Sequence, residues 1–301
     1  GRMLASSHLA WRVLRTTAAR PLLPPSSFGG LLRPPPGALS FPAALAPRAR
    51  RSHRVPPMAA TAGGRYAVLV TGHPLPPAAG GGGYGDLFVS LLREGPSEVW
   101  DQFVLCDGET LRDDQLAQYD GVVITGSKHD AHGPEEWVAR LRGLVRGAHA
   151  RKQRVLGVCF GHQLVANALG GSSGPAPQGW ELGVKRVAVA AGAGAGLEAA
   201  RGLPPTLQVL QVHRDQVLAL PAGAVVLASS DKTPYEMYAV QGHMLCIQGH
   251  PEFTPTTVRG IIDHLDAQGL VTKSEALEAK GTLAASEVSA GALRDLCMRF
   301  L

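Results

Sequence analysis

The sequence predicts an α/β domain built on a central, mainly parallel sheet. Two patterns carry that prediction. From Tyr66 to Leu169, short apolar runs alternate with longer stretches of helical periodicity. One run, residues 155–159, passes through Gly-x-Cys-x-Gly directly into a helical stretch. Alternating strands and crossover helices of this kind build a parallel sheet covered on both faces.

In chain order, residues 66–72 read as a buried strand ending at a glycine, followed by a Gly-rich loop and a helix over 84–92. Residues 99–105 form a second strand, 111–118 a short helix, and 121–125 a third strand ending at Gly126-Ser127. Residues 135–152 carry acids early and Arg or Lys late, as a helix dipole favours. A strand over 155–159 and a helix over 162–169 follow. Segments 181–190, 206–218, 224–229 and 236–248 are strand-rich with few helices, which predicts an antiparallel extension. A helix over 256–267 closes the core, and the remainder reads as a polar helical tail. No internal repeat is present.

Charge is distributed unevenly along the chain. Its 301 residues carry 29 Lys+Arg and 24 Asp+Glu, a formal net charge of +5. Residues 1–57 hold nine arginines, ten prolines and no lysine or acid, so residues 58–301 carry a net −4. The basic balance therefore belongs to the leader and gives no reason to expect a nucleic-acid partner. No run approaches the roughly 18 apolar residues of a membrane-spanning helix, so no membrane partner is expected.

The leader combines Arg, Ser, Ala, Leu and Pro without acids, the composition of an organellar transit peptide. Pro24-Pro25 and Pro34-Pro35-Pro36 oppose any long helix. A disordered leader is thus expected over 1–57, and a single catalytic domain with a C-terminal helical tail over 58–301. Two starts fit. Met3 would open a transit peptide to a plastid or mitochondrion. Met58, just ahead of the first strand, would make the leader non-native upstream translation and the protein cytosolic; this start is favoured.

Cys106, Cys159, Cys246 and Cys297 lie far apart with no CxxC pair, which argues against a disulfide scaffold or zinc ribbon and for a reducing compartment. Cys106 and Cys246 fall in apolar segments and are expected in the core. Cys159 is different. Gly157 and Gly161 flank it symmetrically, leaving room for the sharp strand-to-helix turn of a nucleophile elbow, with sulfur where a serine oxygen often stands. The helix N-terminus beneath would favour thiolate, and the Phe160 N–H would point at an oxyanion. A buried core cysteine with incidental glycines is the competing reading, and the strand-before, helix-after context weighs against it.

A cysteine nucleophile needs a histidine base, itself oriented by a third group. Gly249-His250-Pro251-Glu252 ends another apolar run, and alternation along an extended backbone puts His250 and Glu252 on one side. His162, on the elbow helix, suits packing or capping better.

Gly157-Val158-Cys159-Phe160-Gly161-His162-Gln163 and Gly249-His250-Pro251-Glu252 resemble the two signatures of class I glutamine amidotransferase domains, in the same chain order. The resemblance spans residues 66–268. Further segments are similar to the plant γ-glutamyl peptidases: residues 119–127, Asp130-Ala131-His132-Gly133, Gly179-Trp180-Glu181-Leu182-Gly183, His213-Arg214-Asp215-Gln216-Val217 and Ser230-Asp231-Lys232-Thr233. Enzymes of that group trim γ-glutamyl groups from glutathione conjugates in sulfur-containing defence metabolism.

The resemblance implies a three-layer, flavodoxin-like fold and a Cys159, His250, Glu252 triad. It implies Gly126 as a second oxyanion donor beside Phe160, although Thr125-Gly126-Ser127 departs from the usual Gly-Gly. Gln163, Arg214 and Asp215 fall where related domains hold the glutamyl group; Ser127 is expected to bind substrate beside them, and Trp180 to line the pocket for the conjugate's apolar part. A solvated turn for Arg214-Asp215 and simple packing for Trp180 remain open. No metal or organic cofactor is implied. The expected substrate is a small γ-glutamyl compound, a glutathione conjugate or glutamine, with no protein partner required.

Other features have plainer readings. The Gly80–Gly83 loop lacks the following Lys-Ser/Thr of a phosphate-binding loop. His129, Asp130 and His132 have no second ligand cluster to make a metal site, and a loop or pocket role is expected. A related superfamily of elbow cysteines places histidine directly after the nucleophile; Phe160 stands there in this chain.

Overall fold

The computed structural model describes residues 63–75 and 82–301. The leader over 1–57 and the alternative start at Met58 lie outside the described residues. Among the described residues, eleven strands and eight α-helices follow the alternation read from the sequence. β1 (Arg65–Val70), β2 (Val99–Val104), β3 (Gly121–Ile124) and β4 (Arg154–Val158) are joined through α1 (Tyr84–Leu92), α2 (Asp113–Leu116) and α3 (Glu136–Ala150). α4 (Phe160–Ala168) leaves β4 immediately after Cys159. β5 (Ser172–Pro175), β6 (Glu181–Val189), α5 (Ala193–Gly196), β7 (Thr206–His213), β8 (Asp215–Ala219) and β9 (Ala224–Ser229) follow, then β10 (Met237–Val240) and β11 (Met244–Ile247). α6 (Pro255–Ala267), α7 (Lys273–Ala285) and α8 (Ala290–Phe300) end the chain.

The main sheet has nine strands in the order β2-β1-β3-β4-β11-β10-β9-β6-β7, and β5 and β8 form a separate pair. β2, β1, β3, β4 and β11 run parallel. The remaining neighbours are antiparallel, as the expected extension. One strand departs from that expectation. Residues 236–248 form a hairpin, with Gln241 and Gly242 both at positive φ, and its second strand, β11, returns parallel to β4. Two consecutive left-handed residues give the tight turn whose twist matches the flanking strands.

The parallel strands alternate between two helical layers. Val68 and Val70 join one core with Phe88 of α1, Ile261 of α6, Ala279 of α7 and Leu296 of α8. Ala67 and Leu69 join the other with Leu116 of α2, Leu141 of α3 and Leu164 of α4. This period of two, buried on both faces, is what a covered parallel sheet requires. The sheet between two helical layers is the three-layer α/β fold.

Two expectations change. The C-terminal tail is helical as expected, but it is part of the core: Ala276, Ala279, Leu283, Leu293, Leu296, Cys297 and Phe300 are all buried. α7 lies so close to β6 that Gly183, at φ +85, has no room for a side chain; a Cβ there would collide with Thr282 Oγ1 and lie 2.6 Å from the Ala279 carbonyl oxygen. Cys106 is not a core residue. It sits in the 3-10 turn Leu105–Asp107 after β2 and is only partly buried, whereas Cys246 in β11 is fully buried as expected. Among the described residues, no helix is long and apolar enough to cross a membrane.

Candidate active site

Cys159 stands between β4 and α4 at φ 51, ψ −99, one of three non-glycine residues at positive φ among those described. Such a conformation costs on the order of 1–3 kcal/mol and persists only where its surroundings enforce it. The flanking glycines show how. A Cβ on Gly157 would lie 2.7 Å from the Gly161 carbonyl, and one on Gly161 would collide with the Ile124 carbonyl oxygen. The turn is therefore so tight that β4, α4 and the end of β3 touch backbone to backbone. The Cys159 N–H donates to the Ile247 carbonyl of β11 at 2.9 Å, and the Cys159 carbonyl accepts from the Gln163 N–H at 3.1 Å. Phe160 is the first residue of α4, where the amide has no intrahelical acceptor. Its ring is buried, stacked at 5.7 Å on Trp137 of α3, which anchors the helix start.

β11 delivers the histidine. The His250 N–H donates to the Leu210 carbonyl of β7 at 2.9 Å, and the ring stacks on Phe253 with centroids 4.2 Å apart. His250 Nδ1 lies 2.7 Å from Glu252 Oε1, and both side chains are almost fully buried, at 5% and 1% exposure. The imidazole and the Cys159 side chain stand side by side over Gly126. Burial would push the imidazole pKa down, but the Glu252 carboxylate and then the Cys159 sulfur outweigh it and raise the pKa from 6.5 to about 10. The histidine is thus held protonated between a carboxylate and a sulfur.

Gly126 closes the third side. A Cβ there would lie 3.0 Å from His250 Cε1 and 3.6 Å from Cys159 Cβ. The loop is pinned to β1: the Thr71 hydroxyl lies 3.0 Å from the Thr125 carbonyl oxygen and 3.1 Å from that of Gly126. β3 lies between β1 and β4. In a trans peptide the N–H points opposite to the carbonyl. With the Thr125 carbonyl turned to β1, the Gly126 N–H turns to the β4 side, where Cys159 stands. Ser127 has another job: its hydroxyl donates to the Thr71 carbonyl at 2.6 Å and accepts from the His129 N–H at 3.0 Å, which ties the loop to itself.

The other sequence candidates divide. The Gln163 amide is buried behind the elbow and donates to the Asp215 carbonyl at 2.7 Å and to Gln248 Oε1 at 3.1 Å, so it fixes the start of β8 to α4. Arg214 and Asp215 occupy the turn between β7 and β8, half-buried, with Pro175 of β5 paired to Asp215. Asp215 Oδ2 lies 3.6 Å from His132 Nδ1. Burial and then Asp130 raise the Asp215 pKa, against His132 and Arg214. Trp180 donates its indole N–H to the Leu270 carbonyl at 3.1 Å and packs on the α6–α7 side of the core. His162 is fully buried, within 2.8 Å of the Tyr235 carbonyl, and burial lowers its pKa to about 3, consistent with packing.

Sequence reasoning missed a buried polar group beside the dyad. Glu181 of β6, His213 of β7 and Glu236, just ahead of β10, are each under 5% exposed. His213 Nε2 lies 3.5 Å from Glu181 Oε2, Thr233 Oγ1 donates to Glu181 Oε2 at 2.7 Å, and Gln211 Nε2 donates to Glu236 Oε2 at 2.7 Å. Burial, then the charges of His250 and His162, lower the His213 pKa to about 3. Tyr84 at the start of α1 is a second omission; it is buried against Phe253 at 6.0 Å, in the field of Glu252 and Cys159. Glu181 and His213 lie in segments that carry the resemblance, but nothing local marks them as a buried charged group, and Glu236 and Tyr84 have no signal at all.

Comparison with known proteins follows the same lines. The family model described as glutamine amidotransferase class-I matches residues 102–262. Gamma-glutamyl peptidase 3 of Arabidopsis thaliana is 35% identical over 226 residues, covering 73% of this chain and 89% of the relative. Gamma-glutamyl peptidase 5 of the same plant is 38% identical over 225 residues, covering 73% and 88%. Among solved structures, a glutamine amidotransferase from Thermotoga maritima superposes with a TM-score of 0.58 at 23% identity, covering 78% of this chain and 97% of that one. One from Methylobacillus flagellatus gives a TM-score of 0.58 at 20% identity, covering 79% and 95%. The chain belongs to the class I glutamine amidotransferase family.

Proposed function

We propose that this protein is a cysteine hydrolase of γ-glutamyl amides, a γ-glutamyl peptidase that acts on glutathione conjugates. The observation that carries the chemistry is the strained elbow residue Cys159 beside a His250 that Glu252 holds at 2.7 Å. In this reading the Cys159 thiolate attacks the γ-carbonyl carbon, and the Phe160 and Gly126 N–H groups hold the oxyanion. His250 passes its proton to the leaving amine as the C–N bond breaks, which leaves a γ-glutamyl thioester. Water, deprotonated by the same imidazole, then attacks the thioester and releases glutamate and the thiol. Asp215 would take the glutamyl ammonium and Arg214 its carboxylate. The choice of peptide over free glutamine rests on the relatives named gamma-glutamyl peptidases, which the chain covers over nearly nine-tenths of their length.

A second reading, a glutaminase component that supplies ammonia to a partner synthase, is favoured by a different match. A GMP synthase of Aeropyrum pernix is 31% identical over 188 residues, but only 34% of that relative is covered. The two readings share the acyl-enzyme and differ in the leaving group. The purified protein should be offered glutamine, glutathione and a bulky glutathione S-conjugate, with glutamate release measured beside Cys159→Ala. Faster turnover of the conjugate is expected. A preference for glutamine, raised by an added protein, would establish the second reading instead, and undiminished release by Cys159→Ala would refute the nucleophile.

A further inference from the structure

Away from the Cys159 site, the ends of β1 and β2 bring three different ligand side chains together. The two strands are parallel, with Val70 opposite Val104, so residues just beyond each strand meet at the same sheet edge. His73 comes from the first and Cys106 and Asp107 from the second. His73 Nε2 lies 2.7 Å from Asp107 Oδ1 and 3.9 Å from Cys106 Sγ, and Sγ lies 3.9 Å from Oδ1. All three donor atoms fall within 4.8 Å of one another. The turn that carries Cys106 and Asp107 is held by Gly108, at φ 89, whose N–H donates to the Leu105 carbonyl at 3.1 Å. The His73 and Asp107 side chains are 60% and 56% exposed, so an ion can reach them from solvent.

Bonds of roughly 2.0–2.3 Å arranged tetrahedrally about one ion place N, O and S donors roughly 3.3–3.6 Å apart. The observed edges lie on either side of that spacing, so small side-chain rotations bring the three atoms to it. One imidazole, one thiolate and one carboxylate suit a late first-row divalent ion, whereas Mg²⁺ and Ca²⁺ take oxygen alone.

We propose that His73, Cys106 and Asp107 form a binding site for a divalent ion of the Zn²⁺ class, with a coordination position left open to solvent. On binding, the Cys106 S–H bond breaks and its proton passes to solvent. The His73–Asp107 hydrogen bond gives way to one metal bond from each residue. The site lies on the same strand-end edge as the elbow and adjoins the oxyanion loop, because a Cβ on Gly72 would lie 3.0 Å from Ser127 Oγ. It does not depend on the catalytic reading.

The full chain carrying Cys159→Ala, which removes the thiol of the elbow site, should be titrated with Zn²⁺ by calorimetry and with Co²⁺ by absorption. One equivalent should bind, with a thiolate-to-cobalt charge-transfer band. Cys106→Ser and His73→Ala should each weaken binding on the order of a hundredfold, and Cys106→Ser should abolish the band, with the metal-free unfolding temperature unchanged. Absence of stoichiometric binding, absence of the band, or affinity unmoved by both substitutions would overturn the site.

Discussion

His250 Nδ1 and Glu252 Oε1 meet at 2.7 Å although only one residue separates them and both side chains are buried. Pro251 stiffens the link, and the pair sets the protonation of the site. Burial acts to lower the imidazole pKa, and Glu252 is the largest influence raising it to about 10. Glu252→Gln keeps the shape and removes the charge. The His250 pKa should then fall toward or below its ordinary value near 6.5. Following the ring protons by NMR across pH 5–10 checks this directly. Glutamate release at neutral pH should fall on the order of 10²-fold, as the imidazole loses the proton it must deliver. An unmoved His250 titration would show that Glu252 does not hold the charge.

Gly126 tests the oxyanion assignment. A methyl group there would press on His250 Cε1 at 3.0 Å and narrow the space above Cys159 Cβ. Gly126→Ala should therefore lower kcat by roughly 10²-fold, the scale of losing one oxyanion contact. The circular dichroism and unfolding temperature should stay near those of the parent. Ser127→Ala should act differently: it loosens the loop's tie to Thr71 and His129 and should cost far less in kcat than Gly126→Ala.

How far the sequence discloses the site depends on whether its parts are contiguous. The elbow is legible because strand, two glycines, cysteine and helix fall within one short stretch, and the close contacts at Gly157 and Gly161 give each glycine a steric reason. His250 and Glu252 are legible for the same cause. Glu181, His213 and Glu236 are not, because strands distant in sequence carry them and no local pattern marks a buried carboxylate. β5 is hidden in Ser172-Ser173-Gly174-Pro175, which carries no apolar signal, and its pairing with β8 is set by tertiary context. α7 reads as polar because its buried face is largely alanine, which lets the helix approach β6 so closely.

That close approach yields a stability prediction. Gly183 combines φ +85 with contacts to Thr282 and Ala279 that leave no space for a Cβ, and the Val184 N–H donates to Thr282 Oγ1 at 2.9 Å. Gly183→Ala must displace α7 or strain β6. A loss of roughly 2 kcal/mol or more is expected, read from chemical denaturation. Thr282→Ala removes the collision with Oγ1 and the hydrogen bond together, leaving the contact with the Ala279 carbonyl, so the double variant should lose less than the two single losses combined.

Glu236 gives the stability of the fold a pH dependence. Burial, then the neighbouring Glu181 charge, raises its pKa from 4.5 to about 8. Between those values the native state holds a proton that the unfolded chain releases. Stability contributed by this group is therefore present at low pH and is lost as pH rises through about 8. His250, raised to about 10, adds a loss of the same sign that begins near 6.5 and extends further. His162 and His213, both lowered to about 3, act with the opposite sign and only below about 6.5. From pH 6.5 to 8 the falling limb therefore belongs to Glu236 and His250. Glu236→Gln can keep the contact with Gln211 Nε2 while removing the titration. Its unfolding temperature should fall less steeply than that of the parent across pH 6.5–8 and follow the same trend above it, where His250 still titrates. Equal slopes in the two proteins would mean that Glu236 is already ionised at neutral pH.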